Sequence, residues 1–274
     1  MTAGAVLPAG PDAPALRPES RLSGRFVSRA RLVGRSMYWL AWLIGSGGGR
    51  VGSGVQREIE TLGIGALRLV GAASVLVGLI ATFQIAYQLS AYSAQSMSGQ
   101  AIGWFGAREL GPLVVAILVI ARSASRIAGE FASMSVNAEI DALRAMGLDP
   151  IKYLVAPKLA ALLLALPALT ILSDGLILLG GWVGNTMFLG FTTGFYLEQL
   201  RVSFTIRDLI VGLVKAVAFA LLIGLVAADE GLNVERRVSA ISEAATRTVV
   251  ACLIAVLAFD TLMNAIFYFI PSFL

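Results

Sequence analysis

The sequence predicts an all-α integral membrane protein in which five transmembrane helices follow an N-terminal interfacial amphipathic helix. Of its 274 residues, 57% are hydrophobic and only 14% are charged, whereas soluble domains carry about 45–50% apolar and about 25% charged residues. The mean hydropathy is +0.82. Five apolar stretches each reach the roughly 20 residues that a helix needs to cross a bilayer.

The composition excludes several kinds of site. The chain has no His and a single Cys, Cys252, whereas zinc, haem and iron–sulfur sites need several such ligands. A Ser-His-Asp triad would lack its base. We therefore expect neither a metal site nor a catalytic site, and we interpret Cys252, which lies in an apolar run, as a packing residue.

The N-terminal part divides into a flexible tail at 1–19, rich in Ala, Pro and Gly, and an interfacial helix region at 20–60. Arg residues recur every four positions from 17 to 29, and an aromatic cluster follows at 37–43. This mixture is typical of a helix lying in the membrane surface, and the run GSGGG at 45–49 should end that helix. A solvated charged segment remains an alternative, although it does not explain the aromatic residues.

The five-span domain covers 61–274. Its spans are predicted at about 69–91, 102–134, 157–185, 207–228 and 248–271. If the N-terminus is cytoplasmic, seventeen Lys and Arg residues fall inside and two outside. This asymmetry predicts a cytoplasmic N-terminus and a periplasmic C-terminus.

Charged residues interrupt the apolar spans. Arg108 and Glu109 lie in the second span, Lys215 in the fourth and Asp260 in the fifth. A charge at that depth costs at least about 2.5–3.5 kcal/mol unless a partner or cavity receives it. Arg108 and Glu109 could neutralise each other or line a polar cavity, and we expect Lys215 and Asp260 to lie near each other or near Glu109.

A short cytoplasmic helix is predicted between the second and third spans, at about 137–147. Asn137 could cap its start, and Gly147 with Asp149-Pro150 should end it. The residues Ile140, Leu143 and Met146 form an apolar ridge. This ridge could pack on the protein itself or dock into a partner's groove.

Four motifs occur in a fixed order between about residues 50 and 270. They are RELGP at 108–112, a small-residue run containing Ala128-Gly129-Glu130, EIDALRAMGLDP at 139–150, and ATRTVV at 245–250 followed by Phe259-Asp260. Together they resemble the MlaE/YrbE permease family, the membrane subunits of ABC transporters that work with MCE-domain proteins to move lipids.

The resemblance implies a homodimer that moves phospholipid or a related lipid between the bacterial inner membrane and a periplasmic MCE-protein (MlaD-like) ring. A separate ATPase subunit would use ATP and Mg, and a small STAS-domain (MlaB-like) protein could join the complex. This chain lacks the GxxxxGK[ST] motif, so we expect it to be a transport subunit rather than an enzyme and to bind no cofactor or nucleic acid.

The resemblance also implies two sets of functional residues. The residues that line or support the lipid cavity would be Leu89, Tyr92, Arg108, Glu109, Lys215, Arg247 and Asp260. The coupling helix that docks on the ATPase would present Glu139, Ile140, Asp141, Leu143, Arg144 and Met146. The sequence departs from the family at Glu243, where relatives often carry a basic residue, so Arg247 is the remaining basic candidate nearby.

Two other functions stay open at this point. A secondary transporter could use Glu109, Lys215 and Asp260 as an ion or proton relay, although the sequence shows no convincing internal repeat of the kind that many such transporters have. A membrane scaffold without transport would leave the charges in the spans as structural ion pairs.

Overall fold

The computed structural model describes residues 31–41 and 49–269, and for residues 49–53 and 268 it describes the backbone alone. Within this part the chain is helical and forms no β-strand. The predicted tail at 1–19, residues 20–30 and 42–48 of the interfacial region, and the end of the fifth span lie outside the described residues. The helices are α1 (31–41), α2 (Gly49–Leu62), α3 (Leu67–Ser90), α4 (Ser98–Phe105), α5 (Gly111–Val119), α6 (Ser125–Val136), α7 (Glu139–Ala145), α8 (Ala156–Val183), α9 (Thr193–Ser203), α10 (Ile206–Leu232) and α11 (Ser239–Phe269).

Five stretches within the described residues are long and apolar enough to cross a membrane, which confirms the predicted all-α, five-span class. They are Gly54–Ser90, Gln95–Val136, Ile151–Phe188, Ile206–Leu232 and Ser239–Phe267. All five begin earlier than predicted. The fifth does so because the polar segment before residue 248 continues the same helix, and the first includes the amphipathic helix α2, which was assigned to the interfacial region.

Four five-residue wide turns with π-type hydrogen bonding occur in the second and third spans. Two lie in the second span at Gly106–Leu110 and Ile120–Ala124, and two bracket α8 at Ile151–Val155 and Gly184–Phe188. Wide turns of this kind are frequent at functional sites. The first one carries most of the RELGP motif, and α5 starts directly after it with Pro112 in its first turn, where a missing N–H is tolerated.

Close contact between the first and third spans forms part of the bundle core. A Cβ atom at Gly78 would overlap the carbonyl oxygen of Ile177, and one at Gly180 would overlap that of Val75. Small residues let membrane helices approach at this distance. A hydrogen bond of 2.8 Å between the buried hydroxyls of Ser74 and Ser173 joins the same two helices.

The N-terminal helices are tied to the start of the third span. Asp149 accepts hydrogen bonds from the Arg35 guanidinium at 2.7 Å and from the Trp39 indole at 2.9 Å. Deeper along the same span, the buried Lys158 ammonium contacts Glu58 of α2 at 2.7 Å and Glu130 of α6 at 3.0 Å. These contacts fix α1 and α2 beside the segment that follows α7.

Candidate functional site

A buried cluster of charged side chains lies between the second, fourth and fifth spans. The Lys215 ammonium contacts both carboxylate oxygens of Glu109 at 2.8 and 2.7 Å and Asp260 Oδ1 at 2.9 Å. It also donates to Asn264 Oδ1 at 2.8 Å. The Asn264 amide in turn donates to Glu109 at 3.1 Å and to Asp260 at 3.4 Å. We call these four residues the Lys215 cluster, and its geometry confirms the predicted pairing of Lys215 with Asp260 and Glu109.

The Lys215 cluster is closed on one side and partly open on the other. The Lys215 side chain is 1% exposed, whereas the side chains of Glu109 and Asp260 are 15% and 12% exposed. Two carboxylates share one ammonium, so the cluster carries one excess negative charge when both acids are ionised. The arrangement therefore places fixed charge and hydrogen-bonding groups at the edge of an apolar bundle.

Arg108 and Glu109 do not neutralise each other, although their adjacency suggested that they could. A guanidinium nitrogen of Arg108 lies 3.8 Å from a carboxylate oxygen of Asp208 at the start of α10. The guanidinium carbon also lies over the rings of Trp104 and Phe267, 5.7 and 5.2 Å from their centroids. Glu109 reaches Lys215 instead. Arg108 therefore contacts the start of α10, and Glu109 contacts the same helix about two turns later.

The first wide turn and the fourth span set this geometry together. Asp208 and Lys215 lie about two turns apart on one face of α10. A Cβ atom at Gly212, between them, would overlap the carbonyl oxygen of Ala107. The glycine therefore allows α10 to approach the wide turn closely enough for both ionic contacts.

The short helix between the second and third spans is present as α7, but Asn137 does not cap it. Asn137 ends α6 and its amide donates to Ser133 at 3.5 Å, while Ala138 precedes α7 in a left-handed conformation with φ +57°. The backbone bend at Ala138 separates the two helices, so the capping prediction was wrong. Gly147, at φ +74°, follows the end of α7 as expected, and Asp149 caps the next helix by accepting from the Ile151 N–H at 3.0 Å.

The three residues of the predicted apolar ridge of α7 differ in burial. Ile140 is 5% exposed and packs on the protein itself, Leu143 is half-buried, and Met146 is 65% exposed. Asp141 forms ion pairs with Arg144 and with Arg236 of the loop after α10. A cavity of about 370 Å³ lies between α7 and this loop. Among the remaining residues of the predicted coupling helix, Glu139 begins α7 and Arg144 is mostly exposed.

Three residues predicted for the cavity are not among the four residues of the Lys215 cluster. Leu89 is half-buried near the end of α3, and Tyr92 is 82% exposed in the turn that follows. Arg247 pairs with Glu230 at 3.5 Å, and it precedes Asp260 by 13 residues of one helix, about 20 Å. Their role in a cavity stays a prediction.

Sequence reasoning missed two members of the site. Asn264 follows Asp260 by one helical turn, so the helical period could have indicated it. Asp208 completes a capping box with Thr205, a signal readable from the spacing of the two residues. Among the described residues, no group of three His, Cys, Asp or Glu side chains could hold a metal ion.

Five apolar spans with ion pairs between them define a multi-pass membrane protein, and comparisons with known proteins identify its family. A probable ABC transporter permease of Rickettsia typhi is 28% identical over 214 residues, 78% of this chain and 83% of the relative. One from Synechocystis sp. is 30% identical over 180 residues, 66% and 68% of the two chains.

The family model described as Permease MlaE matches residues 55–266. The chain therefore belongs to the MlaE permease family, as the motifs indicated. Another relative is the intermembrane phospholipid transport system permease protein MlaE of Haemophilus influenzae. It is 29% identical over 213 residues, 77% of this chain and 82% of the relative.

Proposed function

We propose that this chain is the membrane subunit of an ABC transporter that moves phospholipid or a related lipid between the inner membrane and a periplasmic MCE-domain protein. Two copies form the permease, and a separate ATPase drives it with ATP and Mg. The N-terminus is cytoplasmic and the C-terminus periplasmic. A small STAS-domain protein can accompany the ATPase.

The observation that carries the proposal is the Lys215 cluster between the second, fourth and fifth spans, which the proposed orientation places in the outer half of the bundle. Lys215 lies nine residues after the start of α10, and Asp260 lies nine residues before the end of α11. Both are thus about 14 Å from the same end of the bundle. A partly open polar cluster at this depth can contact the headgroup or glycerol oxygens of a lipid whose chains lie against the surrounding apolar residues. The name of the Haemophilus influenzae relative supports phospholipid as the substrate.

Homodimer formation is supported by the uneven burial of the spans. The apolar windows of the first and fifth spans are 22% and 17% buried within one chain, against 44–50% for the other three. Ile254, Leu257 and Thr261 form an exposed stripe along α11, the helix that carries Asp260. A second copy placed on this stripe would enclose the open side of the Lys215 cluster in a shared chamber.

Coupling to an ATPase is supported by the surface of α7. Met146 is 65% exposed, and the Arg144 side chain is 59% exposed. Because Ile140 packs on the protein itself, α7 can transmit force from a docked ATPase to the second and third spans. The exposed Met and Arg side chains are types enriched at protein interfaces.

Reconstitution tests the proposed function. The chain is co-expressed with a candidate ATPase and an MCE-domain protein, and the purified complex is placed in vesicles that contain labelled phospholipid. We expect a complex with two copies of this chain and lipid transfer to or from the MCE protein that requires ATP hydrolysis. Transfer driven by an ion gradient through the isolated chain would instead identify a secondary transporter and contradict the proposal.

A further inference from the structure

The Asp174 carboxyl group is buried in the third span without a polar partner. The residue is 3% exposed, and neither Oδ1 nor Oδ2 has a hydrogen-bond partner among the described residues. It lies in α8, well inside a membrane-spanning helix. The Lys215 cluster does not include Asp174.

The carboxyl group of Asp174 packs against the backbone of Gly111. A Cβ atom at position 111 would overlap Asp174 Oδ1, so the carboxyl group occupies the slot that the missing side chain leaves. Gly111 also closes the first wide turn, because its N–H donates to the Gly106 carbonyl. On the other side of that turn, Gly212 of α10 packs against the Ala107 carbonyl. The turn that carries Arg108 and Glu109 is therefore held between the third and fourth spans.

The surroundings of Asp174 favour the uncharged acid. An ionised carboxylate that is removed from water and left unpaired is far more costly than a neutral acid. The buried cations of the second and fourth spans, Arg108 and Lys215, have other partners, since Arg108 pairs with Asp208 and Lys215 with Glu109 and Asp260. The single charged residue of α3, which packs on α8, is Arg68 at its first turn.

We propose that Asp174 is an uncharged carboxylic acid and a positioning residue, which seats in the slot at Gly111 and fixes the wide turn that carries Arg108 and Glu109. Gly111 of the RELGP motif then provides the space into which the Asp174 side chain of the third span fits. The effect of Asp174 on transport rests on the proposed function, whereas its charge and its packing against Gly111 do not.

Infrared spectroscopy of the purified full chain in nanodiscs tests the charge. At neutral pH we expect a carbonyl band of a protonated carboxylic acid that shifts on labelling with ¹³C-aspartate and is absent in Asp174→Asn. Asp141→Asn, which neutralises an exposed and paired carboxylate, should leave the band unchanged. A labelled wild-type spectrum that contains carboxylate bands alone would overturn the proposal, and this measurement needs no variant to fold.

A double-mutant cycle tests the packing. Gly111→Ala should lower the melting temperature, because its methyl group collides with the Asp174 carboxyl group. Adding Asp174→Ala should recover part of that loss, since it empties the space that the methyl group needs. Strictly additive effects of the two substitutions would contradict the contact.

Lipid transfer by variants of the reconstituted complex tests positioning apart from stability. Asp174→Asn keeps the shape of the side chain and cannot ionise, so we expect it to retain most of the transfer rate. Asp174→Leu is apolar and should melt no lower than Asp174→Asn, yet it should transfer lipid several-fold more slowly because the wide turn shifts. Equal transfer by the two variants would show that Asp174 does not position the turn. If the wild-type complex transfers no lipid, the proposed function fails while the infrared and double-mutant results still decide the first two points.

Discussion

At the scale of single residues, the Lys215 ammonium is the common partner of two acids and one amide. Its side chain is 1% exposed, and its contacts with Glu109, Asp260 and Asn264 are all between 2.7 and 2.9 Å. Replacing both members of a buried ion pair can be neutral, but removing one member leaves a buried charge uncompensated. The cluster therefore predicts different outcomes for its different members.

Lys215→Ala should destabilise the protein strongly, because it leaves Glu109 and Asp260 facing each other without a cation. Loss of one partner of a buried pair costs about 3–5 kcal/mol. Thermal unfolding in nanodiscs should show this as a large fall in melting temperature. Glu109→Gln is the matched control, since it keeps the shape and removes the excess negative charge, so it should melt closer to wild type. Equal melting temperatures for Lys215→Ala and wild type would contradict the cluster as described.

The sequence predicted the pairing of the charged residues but not all of their partners. The cost of an unpaired charge in an apolar span was enough to predict that Lys215, Asp260 and Glu109 lie close together. That argument gives no position for a neutral residue such as Asn264. It also could not separate Arg108 from Glu109, because their different partners depend on the wide turn and on the close approach of α10 at Gly212.

At the scale of structural elements, α7 is a seven-residue helix that is buried at Ile140 and is followed by the exposed Met146. Two polar contacts hold its surroundings, since Asp141 bonds to Arg236 and Asp149 caps the next helix. The sequence predicted the helix and its end at Gly147. It did not predict the bend at Ala138, because a left-handed alanine has no signature in composition or period.

Met146→Asp should abolish binding of the ATPase while leaving the permease folded. The side chain is 65% exposed, so the substitution buries no charge within this chain but places one in the proposed interface. Co-purification of the ATPase measures the effect, and the melting temperature of the permease should not change. Met97→Asp, at an exposed methionine between α3 and α4, is the control and should retain the ATPase. Retention of the ATPase by Met146→Asp would exclude Met146 from the docking surface.

Leu143→Asp should also abolish binding of the ATPase. Because Leu143 is half-buried, the melting temperature of this variant has to be measured beside its ATPase binding, to separate loss of docking from loss of stability.

Asp149→Asn should release α1 without disturbing the spans. The substitution removes the ionic contact with Arg35, whose side chain is half exposed, so we expect a stability effect below about 1 kcal/mol. Hydrogen exchange of residues 31–41 should become faster, whereas exchange in α8 should stay slow because the asparagine oxygen can still cap the Ile151 N–H. Unchanged exchange in α1 would show that Asp149 does not hold this helix.

At the scale of the whole molecule, the residues that the structure describes leave two of the five spans largely uncovered. The sequence predicted the number of spans, because each one exceeds the thickness of a bilayer. It could not predict the four wide turns, since a single π turn leaves almost no trace in the hydrophobic period. The side of the bundle that a second copy would cover follows from the exposed stripe on α11 next to Asp260.

A cysteine at Leu257 should cross-link two copies of the chain. Leu257 is 48% exposed on the α11 stripe, and the only native cysteine, Cys252, is buried, so the new thiol would be the accessible one. Oxidation in membranes followed by denaturing electrophoresis should give a dimer band for Leu257→Cys. Leu164 in α8 is 60% exposed, and Leu164→Cys should give no cross-linked dimer band. The reverse pattern would place the dimer interface elsewhere.

The central claim is that the Lys215 cluster borders a chamber for lipid between two copies of the chain. It is tested most directly by native mass spectrometry of the purified dimer, comparing wild type with the variant Lys215→Met/Glu109→Gln/Asp260→Asn. This variant keeps the volume of the cluster and removes every charge, so it should assemble as a dimer. We expect phospholipid bound to the wild-type dimer and a clear loss of bound phospholipid from the variant. Equal phospholipid occupancy in the two dimers would contradict the account.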